Sequence, residues 1–323
     1  MEITMISQMI SQFKIVVIIA LTTTLSFAII GNYYDGIVLI YGQTIDSDNN
    51  SDNIIKLEDI PTKHVKVGDI DISYKTFGKG DPVLLIMGYA TSMYGWDPTF
   101  LKGLSANHTI IVFDNRGIGN TTIGTKNFTI DQFAADSTGL LEALKINKSD
   151  ILGYSMGGMI AQQLTLNNPD KVDDLIIYAS NCGGNQSFAP NPEIIKQLTN
   201  LSGTAEDIKK RFIPLLLTQN WIKQNPGYME NFASFELPPI DILQQQSKAI
   251  YLWKGACDQL KDISQDTLVI TGTDDLVLPP ANSMILTEKI SGAWLAQFKD
   301  GGHALMFQYP ERLSPVVNTF LDN

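Results

Sequence analysis

The chain has 323 residues and is 44% hydrophobic, enough apolar material for one large α/β domain with an insertion, or for two domains. Its 23 Lys and Arg against 34 Asp and Glu leave a net charge of −11, which argues against nucleic acid or an anionic membrane surface as the main partner. Two cysteines, Cys182 and Cys257, exclude a small disulfide framework and are too few for a zinc cluster, and only three histidines, His64, His108 and His303, are on offer as a general base.

In chain order, Ile15 to Ile30 is an apolar run broken only by Thr22, Thr23, Thr24 and Ser26, with Lys14 just before it. Such a run reads as a secretory h-region or a membrane anchor, and it lacks a small-x-small cleavage site. Residues 1–41 are therefore expected to be a signal or membrane-anchor segment. This places the protein outside the cytoplasm, anchored or secreted, with that segment as its only contact with a membrane. Gln43 to Asn53 is polar, acidic and free of aromatics, so 42–60 is expected to be a disordered linker. Asn-x-Ser/Thr sites at Asn49, Asn107, Asn120, Asn127, Asn147, Asn185 and Asn200 add a weak vote for export.

His64 to Val67 and Ile70 to Thr76 alternate as two strands of an opening hairpin. Val83 to Met87 and Thr109 to Phe113 are continuous β-branched and leucine runs of the kind found in buried parallel strands. Phe128 to Asn147 has helical spacing, with Phe133, Leu140, Leu141 and Leu144 on one face. The stretch that organises the rest is Ile151-Leu152-Gly153-Tyr154-Ser155-Met156-Gly157-Gly158, where a short apolar run enters Gly-x-Ser-x-Gly and a helix-like segment follows to Asn168. A strand–turn–helix of this form is a nucleophile elbow. The residues two positions either side of the serine must be tiny, because a Cβ there would collide across the turn.

With its strand before and helix after, this stretch resembles the α/β-hydrolase family, and further motifs extend the resemblance over roughly residues 64–322. The resemblance implies a mostly parallel eight-stranded sheet with helices on both faces and an inserted helical cap. The core would be 61–182 and 264–323, and the cap 183–263, where strand–helix alternation gives way to helical segments. Asp114-Asn115-Arg116-Gly117-Ile118-Gly119 is similar to the family's Asp-x-Arg-Gly-x-Gly turn, in which Asp114 and Arg116 read as scaffolding. Met87-Gly88-Tyr89 stands where relatives commonly carry His-Gly. The donor there is a backbone amide, so by matching position the N–H groups of Tyr89 and Met156 would form the oxyanion hole.

Thr267 to Thr271 leads into Gly272-Thr273-Asp274-Asp275, a Gly-x-x-Asp in which the resemblance makes Asp275 the triad acid, with Asp274 as the alternative. His303 follows two glycines after the last strand, in the Ser…Asp…His order of this fold. His64 precedes the first strand and His108 adjoins the start of another, so His303 is the base. The expected site is thus Ser155 as nucleophile with His303 and Asp275, and Tyr94, Trp96 and Trp221 in the substrate pocket. Phe188, Trp221, Tyr228, Met229, Phe232, Phe235 and Trp253 lie in the cap, where most are expected to build its own small core and some to face the pocket, which implies a small apolar or aromatic acyl substrate. Neither a metal nor a cofactor is implied. Cys182 and Cys257, at the entrance and exit of the cap, either pair across its neck or stay as buried thiols.

The activity this implies is cleavage of a carboxylic ester or lactone through an acyl-enzyme. The alternatives are carbon–carbon bond hydrolysis or a cofactor-free haloperoxidase or perhydrolase reaction. A non-catalytic binding protein on the same scaffold is the remaining rival.

Overall fold

The computed structural model describes residues 54–227 and 236–323, and the backbone of the strand residues 33–34 and 37–40. The apolar run on which the signal or anchor reading rests lies outside the described residues, as do Tyr228, Met229, Phe232 and Phe235 of the cap. Among the described residues, no helix is long and apolar enough to cross a membrane.

Among the described residues, two short strands come first, β1 (Tyr33–Tyr34) and β2 (Ile37–Ile40). The hairpin β3 (Lys63–Val67) and β4 (Ile70–Gly78) turns at Gly68, whose φ is +54°. Alternation then sets in: β5 (Pro82–Ile86), α1 (Pro98–Ser105), β6 (Thr109–Phe113), α2 (Ile130–Ala143), β7 (Ser149–Tyr154), α3 (Met156–Asn167) and β8 (Val172–Tyr178). Among the described residues, four helices interrupt it: α4 (Pro192–Thr199), α5 (Ala205–Leu216), α6 (Gln219–Gln224) and α7 (Ile240–Leu252). It resumes with β9 (Thr267–Gly272), α8 (Ala281–Lys289), β10 (Trp294–Phe298), α9 (Leu305–Gln308) and α10 (Pro310–Leu321).

The sheet order is β1-β2-β10-β9-β8-β7-β5-β6-β4-β3. From β10 to β6 all neighbours are parallel, and β4 and β3 close one edge antiparallel. This is the eight-stranded, mostly parallel body expected of the sequence. It is extended beyond β10 by β2, which pairs parallel to it, and by β1. The extension comes from within 1–41. A four-residue run such as Ile37-Val38-Leu39-Ile40 has no periodicity to separate a strand from the end of a longer apolar segment.

Each face of the sheet is buried. Phe133, Leu140, Ile160 and Leu164 of α2 and α3 pack on one side, and Phe100, Leu104, Leu313 and Val317 of α1 and α10 on the other. The linker expected over 42–60 is shorter than the sequence suggests at its far end. Leu57 is buried in a 3-10 turn (Leu57–Asp59), and Ile55 and Ile60 pack beside it. Four apolar residues between 54 and 60 give this stretch the burial that the polar residues before it lack.

The cap touches both faces of the core: Ile242 and Ala249 of α7 join the α2–α3 cluster, while Ile213 of α5 and Leu217 join the other. Its neck is closed by a Cys182–Cys257 disulfide with Cα atoms 4.9 Å apart, spanning 75 residues of chain. The pairing alternative for the two cysteines is the one the structure adopts.

Candidate active site

At the turn from β7 into α3, Ser155 has φ 56° and ψ −118°, outside the regions a side chain adopts without strain. Its backbone is held on three sides. Its N–H donates to the Tyr178 carbonyl (2.9 Å), and its carbonyl accepts from Gly158 N–H (2.9 Å) and from Ser180 Oγ (2.8 Å). The flanking glycines are required by contact: a Cβ on Gly157 would lie 2.0 Å from the Ile86 carbonyl oxygen, and one on Gly153 2.2 Å from that of Gly157. Those obstacles are backbone, so they cannot step aside.

Ser155 Oγ lies 2.9 Å from His303 Nε2, and His303 Nδ1 lies 2.8 Å from Asp275 Oδ2. With the ring proton on Nδ1, the imidazole donates to the carboxylate and accepts from the serine hydroxyl. Asp275 and His303 are 4% and 2% exposed, so the row is shielded from water except at its serine end. The other Asp275 oxygen accepts the amides of Val277 (2.9 Å) and Leu278 (2.8 Å), which fixes the carboxylate plane. Of the two adjacent acids, Asp274 turns outward, where its carboxylate accepts from Thr273 Oγ1 (2.8 Å). His64 lies on the outermost strand β3 facing Asp71, and His108 is buried where β6 begins, at the opposite ends of the strands from Ser155.

The His303 loop is braced from below and from the cap. The Tyr154 ring lies 5.2 Å from the imidazole, and Tyr178 Oη donates to the His303 carbonyl (3.2 Å) while accepting from Met306 N–H (3.0 Å). Burial pushes both tyrosine hydroxyls well above their ordinary pKa, so both stay neutral and Tyr178 keeps the proton it donates. From the cap, the Leu216 carbonyl accepts Ala304 N–H (2.9 Å), and Thr218 Oγ1 accepts Gln308 Nε2 (3.2 Å).

Across from the elbow, the Met87-Gly88-Tyr89 loop passes so close that a Cβ on Gly88 would lie 3.0 Å from Ser155 Cβ. The Met87 carbonyl accepts from Asn115 Nδ2 (3.0 Å), and Met93 N–H donates to Asp114 (2.8 Å), so the Asp114–Gly119 turn fixes this loop from the core side. Burial pushes the Asp114 carboxyl up. Arg116 makes two-pronged contacts with Asp136 and with Asp69, and that pairing holds the Asp69 carboxyl far below its usual range. Among the described residues the Tyr89 and Met156 amides donate to no protein acceptor, and each adjoins the elbow.

The three residues expected in a pocket sit in different surroundings. Trp96 is 1% exposed, with its ring centroid 6.1 Å from Phe100 and 6.2 Å from Tyr154, so it backs the strand end that carries Ser155. Tyr94 is 41% exposed, with Lys75 Nζ 5.4 Å from its ring. Trp221, on α6, is half-buried against the cluster of Ile213 and Leu305.

What the sequence reading missed is the cap's grip on the Tyr89 loop. Gln246 Oε1 accepts Ala90 N–H (2.8 Å), Ser247 Oγ donates to Tyr89 Oη (2.9 Å), and Tyr89 Oη donates to the Leu243 carbonyl (3.3 Å). The only signal was spacing: Gln246 falls on the stripe of Ile242 and Ala249, three or four residues away on a helix.

Residues 81–310 match the family described as alpha/beta hydrolase fold. The putative carbamate hydrolase RutD of Azorhizobium caulinodans is 27% identical over 259 residues, covering 78% of this chain and 96% of that protein. The putative non-heme bromoperoxidase BpoC of Mycobacterium tuberculosis is 27% identical over 262 residues, covering 78% and 97%. Among solved structures, Est816, described as an N-acyl homoserine lactone degrading enzyme, aligns with a TM-score of 0.67 and 25% identity over 80% of this chain and 100% of that one. With the family match spanning most of the sheet and both loops that frame Ser155, the chain belongs to the α/β-hydrolase fold family.

Proposed function

We propose that the protein is a serine hydrolase that cleaves a carboxylic ester or lactone through an acyl-enzyme on Ser155. The observation that carries this reading is the unbroken row of Ser155 Oγ, His303 and Asp275, linked at 2.9 and 2.8 Å. Ser155 Oγ attacks the acyl carbon as His303 Nε2 takes the hydroxyl proton. Asp275 holds the tautomer and stabilises the imidazolium. The carbonyl oxygen gathers negative charge, which the Tyr89 and Met156 amides receive, helped by the positive end of α3. His303 then gives its proton to the leaving oxygen. A water activated by the same imidazole releases the acid, or the hydroxy acid if the substrate is a lactone.

The aromatic residues of the cap, Trp221 and Trp253 among them, support a small apolar or aromatic acyl group. The disulfide supports an oxidising, extracytoplasmic compartment. The lactone-degrading activity in Est816's description favours the ester and lactone branch. The bromoperoxidase in BpoC's name favours the second reading, a cofactor-free haloperoxidase or perhydrolase, with carbon–carbon hydrolysis beside it.

A panel of p-nitrophenyl esters and lactones, run on the chain and on Ser155→Ala, tests the proposal. Turnover that vanishes in the variant is expected; no turnover at any acyl length moves the assignment to the second reading. A fluorophosphonate probe is expected to label Ser155. Absence of labelling would leave only a binding protein on this scaffold.

A further inference from the structure

Gln246 is fully buried in the middle of the apolar stripe of α7, between Ile242 and Ala249, on the helix that closes over the Tyr89 loop. Its side-chain oxygen is committed to Ala90 N–H at 2.8 Å, whereas its Nε2, with two protons to give, has no partner among the described residues. A buried amide donor left unpaired is a standing cost to the fold. An apolar side chain of similar size would avoid that cost but would leave the buried Ala90 N–H without its acceptor. The neighbouring Ser247 shows that this helix can place polar groups where partners await them, since its hydroxyl meets Tyr89 Oη at 2.9 Å. The orphaned donor is also fixed in place. Ala90 follows Tyr89, and Gly88 lies against Ser155, so the amide stands over the loop that faces the nucleophile.

We propose that Gln246 Nε2 is a substrate-recognition donor, and that the preferred substrates carry a second oxygen acceptor three or four bonds from the scissile carbonyl carbon. This deepens the hydrolase reading and rests on it for the position of the scissile group. An amide is donor-only at nitrogen, so the ligand group must be an acceptor: a ketone, ester or ether oxygen. The placement follows from chain geometry. Tyr89 N–H faces the oxyanion, Ala90 N–H is the next amide along, and Nε2 is one amide width beyond the oxygen that Ala90 holds. This puts the donor roughly 4–8 Å from the oxyanion. A 3-oxoacyl ester meets that span on the acyl side, and a 2-oxopropyl ester on the leaving side. A plain alkyl ester meets it on neither.

The test compares Gln246→Met with the parent on two matched pairs: phenyl 3-oxohexanoate against phenyl hexanoate, and 2-oxopropyl hexanoate against butyl hexanoate. Methionine removes donor and acceptor together, so any loosening of the Tyr89 loop slows both members of a pair alike. The readout is therefore the ratio of kcat/KM within each pair. In one pair the ratio is expected to fall about 10-fold in the variant, the effect of one neutral hydrogen bond. Equal losses for both members of both pairs would overturn the proposal and leave Gln246 as a positioning residue for the loop.

A second measurement needs neither turnover nor a change at 246. In Ser155→Ala, calorimetry should show the oxo member of that pair binding about 10-fold more tightly than an isostere with a methylidene group in place of the ketone. Equal binding overturns the proposal even if esters are hydrolysed. Tighter oxo binding in a protein that hydrolyses no ester would sustain the donor role and sink the hydrolase reading.

Discussion

The elbow at Ser155 and the cap helix α7 both present a polar group to the same small region, and they hold it by opposite means. At the elbow the backbone does the holding: a positive φ, three hydrogen bonds to the Ser155 main chain and two glycines pressed against carbonyl oxygens leave the serine one conformation. On α7 the backbone is ordinary helix, and the side chains make the contact, with Gln246 and Ser247 reaching Ala90 and Tyr89. A group held by its backbone stays put when its own side chain is changed, whereas a group held by side-chain contacts moves when the partner does. On the proposed reading, chemistry is confined to the rigid core and recognition to a separable layer.

The sharpest way to break that contrast is Ser155→Ala. It removes only Oγ, so esterase activity should fall by ~10⁴–10⁶-fold while the thermal melting point moves little. A large loss of stability instead would mean that the hydroxyl, not the backbone, holds the turn. Next in size is the cap neck. Replacing Cys182 and Cys257 together by Ser opens a closed loop of 75 residues, for which chain entropy gives about 4 kcal/mol. Urea unfolding should lose about that much, with KM rising more than kcat falls if the cap loosens while the row stays intact.

At the far end of β7, burial pushes the Asp150 carboxyl up to about 7, with Asp174 adding charge repulsion, so the folded chain keeps a proton there that the unfolded chain releases near pH 4. Stability linked to that proton is complete below the unfolded pKa and is lost as pH rises through about 7. Asp150→Asn should flatten that decline and make the protein more stable at pH 8, by on the order of 2 kcal/mol in urea midpoints measured at pH 5 and 8. An unchanged pH dependence would show that this acid is ionised in the folded state.

The smallest effect belongs to the cap's outer helices. Thr204 caps α5 in a reciprocal box with Asp207, and Thr204→Ala should cost about 1 kcal/mol, with kcat unaltered. A drop in kcat there would mean that α5 transmits its disorder to the His303 loop through the Leu216 contact.

The strand–turn–helix at Ser155, the alternation of buried strands with helices and the helical insertion were all legible in the sequence. Each is a local pattern: small residues around a serine, continuous β-branched runs, or spacing near 3.6 residues. Gly-x-x-Asp and the glycines before His303 marked the loops that the structure brings together at Ser155, since turns are specified by neighbours within a few residues. Sequence alone left open which of Asp274 and Asp275 faces the histidine, because adjacent residues on a loop differ only in orientation, and orientation is set by the amides of Val277 and Leu278. It also left open whether Cys182 meets Cys257, and it gave no sign that Ile37–Ile40 would lengthen the sheet. Gln246 is one of three consecutive glutamines, and helical spacing puts it on the stripe of Ile242 and Ala249 without naming what it meets. Only the docking of α7 on a loop 156 residues earlier in the chain turns one of the three inward and leaves half of its amide waiting for a partner. Contacts that bridge such distances depend on how whole elements pack, and no local pattern encodes them.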